Sequence, residues 1–201
     1  MSEKILLSTA YLPPVDYISK IASSDEILIE KNEHFIKQSF RNRCYILSAH
    51  GSHLLSVPVL EGSRHKVKID DVKIDYSKRW QQVHLRAIES SYRNSPYFDF
   101  YYDDFAGKIS NDYSHLWDLN ESLLTLVLKI LNLTKKITYT DNFEAISDQP
   151  YDRRYFISPG YKQITEKKRY IQVFQSEKGF IENLSILDLI FNAGPEAGNY
   201  L

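Results

Sequence analysis

The chain has little cysteine, methionine or glycine: its 201 residues include one Cys, one Met and seven Gly. With Cys44 alone, no disulfide closes within the chain and no thiolate cluster can hold a metal. Cys44 lies in the apolar run Cys44-Tyr45-Ile46-Leu47, a setting that suits a small core residue better than a nucleophile. Excess charge is missing too. The 25 Lys and Arg stand against 26 Asp and Glu, a formal net charge of -1. That balance removes the electrostatic footprint of a nucleic-acid binder, although a local basic pocket for a small anionic ligand remains compatible with it. No run approaches the roughly 18 apolar residues of a membrane span, and the apolar stretch after Met1 is too short for a signal peptide. The expectation is a cytoplasmic protein with no membrane insertion. Walker A, GxGxxG, GxSxG, CxxC and HExxH patterns are also missing, so no motif names a cofactor. His50 and His53 flank Gly51-Ser52, but two further ligands at zinc spacing are lacking, and no metal site is predicted.

Aromatic residues are plentiful, with 15 Tyr and 10 Phe. They serve core packing or a stacking wall for a sugar or nucleobase. The length fits one domain over residues 1–201. The opening predicts strand, Pro-containing loop, helix and strand: Ile5-Leu6-Leu7-Ser8-Thr9, a loop through Pro13-Pro14, a helix over 15–22, and a strand over 26–30 parallel to the first. The carboxyl end of such a first strand, beside a helix N-terminus, is a common ligand position in α/β proteins.

Residues 31–43 are polar and read as a loop or short helix. Apolar runs at 45–49 and 54–59 around His50-Gly51-Ser52-His53 predict a β-hairpin. Residues 62–66 read as a basic loop and 72–75 as a short strand. From Trp80 the period becomes helical: Trp80, Val83, His84, Ala87, Ile88, Ser91 and Tyr92 share a face. Ser77 is a candidate N-cap and Asn94-Ser95-Pro96 the stop. Helices are predicted over 97–105, ending near Gly107, and over 115–132. A strand is predicted at 137–139, a long ordered loop over 141–165, another strand over 170–174, and a helix over 184–191 that stops at Gly194-Pro195. The fold class is therefore α/β: a mixed sheet with an N-terminal β-α-β unit, a hairpin and a helical middle segment.

Four constellations could carry chemistry. Trp80 and His84 are one helical turn apart; His84 is either a proton carrier or phosphate contact beside a stacking Trp80, or a hydrogen-bonded core histidine. Arg41 and Arg43 flank Asn42 and on an extended segment point to one side, where they either grip an anion or pair with nearby acids. Asp103-Asp104 lie about 100° apart on a helix and favour a solvated helix end. Ser185 and Asp188 have the spacing of a capping-box variant, unless Asp188 serves a site from the inner face.

The order of Tyr11-Leu12-Pro13, Arg41-Asn42-Arg43, Trp80 with His84 and Tyr92, Pro96-Tyr97-Phe98, Asp118-Leu119-Asn120 and Leu184-Ser185-Ile186-Leu187-Asp188-Leu189 resembles the WbqC-like family of bacterial proteins, often associated with surface-polysaccharide synthesis. Two positions depart from that family's pattern. Ser8-Thr9 stands where a His/Gln-Pro pair is usual, and Asp16 takes a Gly position. The resemblance implies a site beside the first loop in a small-molecule group transferase of cell-surface glycan or sugar-precursor synthesis. There His84 would carry a proton, Arg41 and Arg43 would hold an anion, and Tyr11, Trp80 and Tyr92 would shape the pocket. The competing expectation is a non-catalytic binding or scaffold subunit working with sugar-modifying enzymes.

Overall fold

The structure, a computed structural model, describes residues 3–60, 66–145, 149–155, 158–159 and 168–201. Strand β1 (Lys4–Ser8), helix α1 (Val15–Ser23) and strand β2 (Glu26–Glu30) form the β-α-β unit, and strand β5 (Ile137–Tyr139) extends it into a parallel sheet of order β1-β2-β5. Successive strand residues face opposite ways, and Ile5, Leu7, Ile27 and Ile29 are buried together on one face. Residues 151–153 run beside the free edge of β1: the Leu6 N–H donates to Tyr151 O and the Arg153 N–H to Leu6 O, both 2.8 Å. The sheet is thereby flanked by the segment that the sequence assigns to a long loop.

Pro14 precedes α1 with φ -67 and offers no side-chain cap. The first helical N–H, of Val15, instead donates to Leu184 O at 3.0 Å. This ties the opening loop to the far end of the chain.

Strands β3 (Arg43–Ser48) and β4 (Gly51–Ser56) make the expected hairpin, with its turn two residues earlier than the sequence suggests. Ser48 decides the register. Its hydroxyl donates to Gly51 O (2.8 Å) and accepts the His50 N–H (3.3 Å), which closes a two-residue turn at Ala49-His50. Gly51 supplies the positive φ of +103 that the turn needs.

The helical middle comprises α2 (Trp80–Tyr92), α3 (Phe98–Ser110) and α4 (Leu116–Ile130). Ser77 does not cap α2; its N–H donates to Asp75 Oδ1 in a local turn at 2.8 Å. Helix α3 runs on through Gly107, because a single glycine costs too little to end a helix held by Phe105 and Ile109 in the core.

The strand expected at 170–174 is absent. Gln172 takes over the role of a ladder partner: its side-chain amide donates to Ile181 O and accepts the Ile181 N–H, both at 2.9 Å. The backbone there turns into the short helix α5 (Gln175–Lys178) instead of pairing. Residues 72–75 make only isolated bridges, Lys73 with His115 and Ile74 with Val59. The basic loop expected at 62–66 lies outside the described residues except for Lys66.

Helix α6 (Ile186–Ala193) is capped by Ser185, the hydroxyl accepting the Leu187 N–H, but Asp188 does not complete a capping box: the Ser185 N–H donates to Tyr45 O and the Asp188 carboxylate turns to Tyr170 and Gln172. The Ser185 hydroxyl also donates to Leu12 O at 3.0 Å, and the Ile186 N–H donates to Pro13 O at 2.8 Å. Buried side chains from Ile5 to Ala197 form one cluster. No helix among the described residues is long and apolar enough to cross a membrane.

Candidate functional site

The first loop, between β1 and α1, is pinned on both sides. Its Tyr11 N–H donates to Phe40 O (2.8 Å), and α6 holds its Leu12 and Pro13 carbonyls. The Tyr11 side chain, wholly buried, runs to α2, where its hydroxyl lies 2.9 Å from His84 Nδ1. One turn earlier on α2, the Trp80 ring packs edge-on against His84, with centroids 5.1 Å apart, and closes on Tyr11 at 6.5 Å. The sequence-predicted Tyr11, Trp80 and His84 therefore form one cluster.

His84 is 3% exposed and its pKa is lowered to about 4. Burial is the main cause; His53 adds to it, and a backbone hydrogen bond with Ser56 works the other way. A bond that favours the imidazolium is one the ring donates. The partners therefore assign a neutral ring that donates to the Ser56 carbonyl and accepts the Tyr11 proton at Nδ1.

Trp80 and His84 form the inner wall of a cleft of about 340 Å³ between β4 and the start of α2, with Tyr11 buried behind them. Leu54, Leu55 and Pro58 give it an apolar side, and His53, Lys78 and Arg79 a basic one. The Trp80 Nε1 donor is buried and makes no hydrogen bond among the described residues. Sequence reasoning overlooked Lys78 and Arg79 and weighed His53 only as a metal ligand. The basic pair directly before Trp80 was the available signal, but only the hairpin's position shows that it faces a cleft.

Arg41 sits elsewhere. It is 3% exposed at the carboxyl end of the parallel sheet, in the turn before β3. Its Nε donates to Glu33 Oε1 (2.8 Å), and its Nη2 to Glu33 Oε2 (2.5 Å) and Ser8 Oγ (2.8 Å). Beside it Arg154 pairs with Asp152 (2.6 Å) and Glu30 (3.0 Å). The Ser8 hydroxyl, at one of the positions that depart from the family pattern, is built into this network through Glu33 and the Arg154 carbonyl. Arg41 is therefore already gripped by a carboxylate. Arg43 opens β3 and does not join it; its Nε is buried with no hydrogen-bond partner among the described residues. Asn42 between them donates to Val57 O at 2.8 Å and fastens the base of the hairpin. The second departure, Asp16, is buried at the start of α1, where its N–H donates to Asn183 Oδ1 at 3.1 Å.

Tyr92 belongs to a third group. Its hydroxyl accepts the Leu47 N–H (2.9 Å) and lies close enough to the Asp188 carboxylate to favour its ionised form. Asp188 accepts from Tyr170 Oη (2.6 Å) and Gln172 Nε2 (2.8 Å). Burial raises its pKa to about 6 against the pull of these three groups.

The profile of the WbqC-like protein family matches residues 9–155, a span that holds the first loop, Arg41 and the whole Tyr11–Trp80–His84 cluster. The chain belongs to the WbqC-like protein family. A full-length relative is the uncharacterized protein Rv1507c of Mycobacterium tuberculosis strain H37Rv, 25% identical over 227 aligned positions that take in 100% of this chain and 98% of that protein. No solved structure matches this WbqC-like chain.

Proposed function

We propose that this WbqC-like protein is a small-molecule group transferase of bacterial cell-surface glycan or sugar-precursor synthesis, and that the cleft between β4 and α2 is its site. The observation that supports this reading best is the placing of Trp80 and His84 on the wall of a basic-rimmed cleft, with His84 held from behind by the buried Tyr11. Lys78, Arg79 and His53 suit the phosphate of an activated donor such as a nucleotide-sugar. Trp80 supplies a ring face and an unspent N–H donor.

His84 is a poor base at a pKa of about 4. A donor phosphate lodged near it favours the imidazolium and raises that value toward the working range. His84 then takes the proton of the acceptor nucleophile, and Tyr11 keeps the ring oriented through Nδ1. Taking that proton at the other ring nitrogen requires the opposite tautomer, with Nδ1–H donating to Tyr11 Oη and the Ser56 carbonyl released when substrate enters.

The test is a thermal-shift and turnover screen against nucleotide-sugars, nucleotides and acyl-CoAs, run on the native protein, Arg79→Ala and His84→Gln. A ligand at a hundred times its Kd stabilises by about 2.7 kcal/mol. The expected pattern is a shift weakened in Arg79→Ala, and binding without turnover in His84→Gln. Turnover that survives in folded His84→Gln removes the proton-carrier role.

A binding subunit without catalysis is the second reading. It is supported by the same low pKa and by both ring nitrogens being engaged. It expects His84→Gln to bind as the native protein does, with turnover in neither.

A further inference from the structure

We propose that the open face of the β1-β2-β5 sheet holds a second ligand site, one that takes a neutral or amino sugar. The proposal is independent of the cleft between β4 and α2. Parallel sheets are normally covered on both faces. Here Ile5, Leu7, Ile27 and Ile29 are sealed in the core, while Leu6 and Leu28 on the opposite face form part of an open cleft of about 290 Å³. Tyr151, which runs beside β1, lines it. Tyr139 of β5 borders it, but in register with Ile29 its ring turns to the other face of the sheet, 5.6 Å from the Trp117 ring and with its hydroxyl on Glu121. The volume leaves room for one sugar ring over Leu6, Leu28 and Tyr151.

The charge of the cleft selects the ligand. Glu30 at its base is committed: one carboxylate oxygen accepts the Asn32 N–H (2.7 Å) and the Thr140 hydroxyl (2.6 Å), and the other takes Arg154 (3.0 Å). At the rim, the side chains of Asp141, Asn142 and Glu144 make no hydrogen bond with the described residues, and Lys4 lies 5.5 Å above the Tyr151 ring. Two uncommitted carboxylates against one lysine disfavour a phosphate or a nucleotide. Carboxylate and amide oxygens at a rim suit vicinal hydroxyls or a sugar ammonium, and leucine and tyrosine faces suit the C–H side of a pyranose. No group of three metal-ligating side chains occurs among the described residues, so the acids do not read as a cation site.

Saturation-transfer NMR and calorimetric titration of the full chain with glucose, glucosamine, N-acetylglucosamine and glucose 6-phosphate test this, with tri-lysine as competitor. The variants are the double substitution Asp141→Asn/Asn142→Ala and the separate Arg79→Ala. The three unphosphorylated sugars should give saturation transfer. Their affinity should fall roughly tenfold or more in the double variant, since the lost groups are the hydroxyl partners, and stay unchanged in Arg79→Ala. Both rim residues are exposed, so an unchanged melting point will show that the double variant is folded. Absence of transfer from every sugar, sugar binding indifferent to the double variant, or displacement of glucosamine by lower concentrations of tri-lysine each overturns the proposal, the last in favour of a basic-peptide groove. Failure of the transferase reading shows separately, as loss of phosphorylated-ligand binding and turnover at Arg79 and His84.

Discussion

Asp188 makes the stability of this protein depend on pH in a direction opposite to that of carboxylates paired with a cation. It is fully buried with two hydrogen-bond donors on Oδ2, the Tyr92 hydroxyl close by and no cation among the described residues, and its pKa is raised from 3.8 to about 6. The folded state therefore holds the proton more tightly than the unfolded chain does. The stabilisation from this residue is complete below the unfolded value and is lost as pH rises through 6. Two pH units at 1.36 kcal/mol each give about 3 kcal/mol in all, of which about 2 kcal/mol falls between pH 4.5 and 7.5. The native pH curve alone hides this, because His84 works in the opposite sense. Its pKa is lowered from 6.5 to about 4, so its contribution is present above 6.5 and lost as pH falls. Asp188→Asn separates the two. The amide oxygen can still accept from Tyr170 and Gln172, and the side chain no longer titrates. Urea unfolding of both proteins at pH 4.5 and 7.5 gives two stability differences. The native protein should lose about 2 kcal/mol relative to the variant on going to the higher pH, equivalent to a relative melting shift of about 4–8 °C. A difference that stays flat within about 0.5 kcal/mol refutes the reasoning, and one that moves the other way means that these three neighbours outweigh burial and hold Asp188 ionised.

His84 should titrate in the ligand-free protein with a midpoint near 4 by imidazole NMR; a midpoint near 6.5 means that water reaches the ring. Tyr11→Phe leaves His84 Nδ1 without its partner and should cost about 1–3 kcal/mol by denaturant unfolding; no cost means that the bond contributes nothing net. Glu33→Gln takes the counter-charge from the buried Arg41 and should cost about 3–5 kcal/mol, the range for breaking one half of a buried pair; a loss under about 1 kcal/mol means that Arg41 finds another carboxylate or water. Gly194→Ala should cost about 2–5 kcal/mol, because Gly194 has φ +52 and an added Cβ would run into the Tyr97 ring; an undisturbed melting point means that Tyr97 swings clear.

The β-α-β unit, the hairpin and the three middle helices were legible because each rests on local pattern: short apolar runs in β1 and β2, helical spacing in α2 and α4, and a glycine at the hairpin. The missing strand at 170–174 was not legible. Its alternation is real, but one glutamine amide takes the place of a neighbouring strand, and no spacing rule reveals that a side chain will pair with Ile181. The candidate site divides along the same line. Trp80 and His84 were readable as neighbours since one helical turn joins them. That Tyr11, 73 residues from His84, completes the cluster rested on the resemblance alone. Arg41 and Arg43 mislead for a related reason. Their spacing promises one face only if the chain between them is extended, whereas Asn42 bonds to Val57 and places Arg41 in the turn outside the strand that Arg43 begins. Glu33, eight residues away, then settles the role of Arg41, because a buried guanidinium must find a carboxylate wherever the fold brings one. Tyr92 likewise shares the helical stripe of His84 yet faces Asp188, since two turns along α2 the helix has left the cleft and entered the core. Residues that a sequence presents as one set thus fall to three separate polar networks, each fixed by a long-range partner.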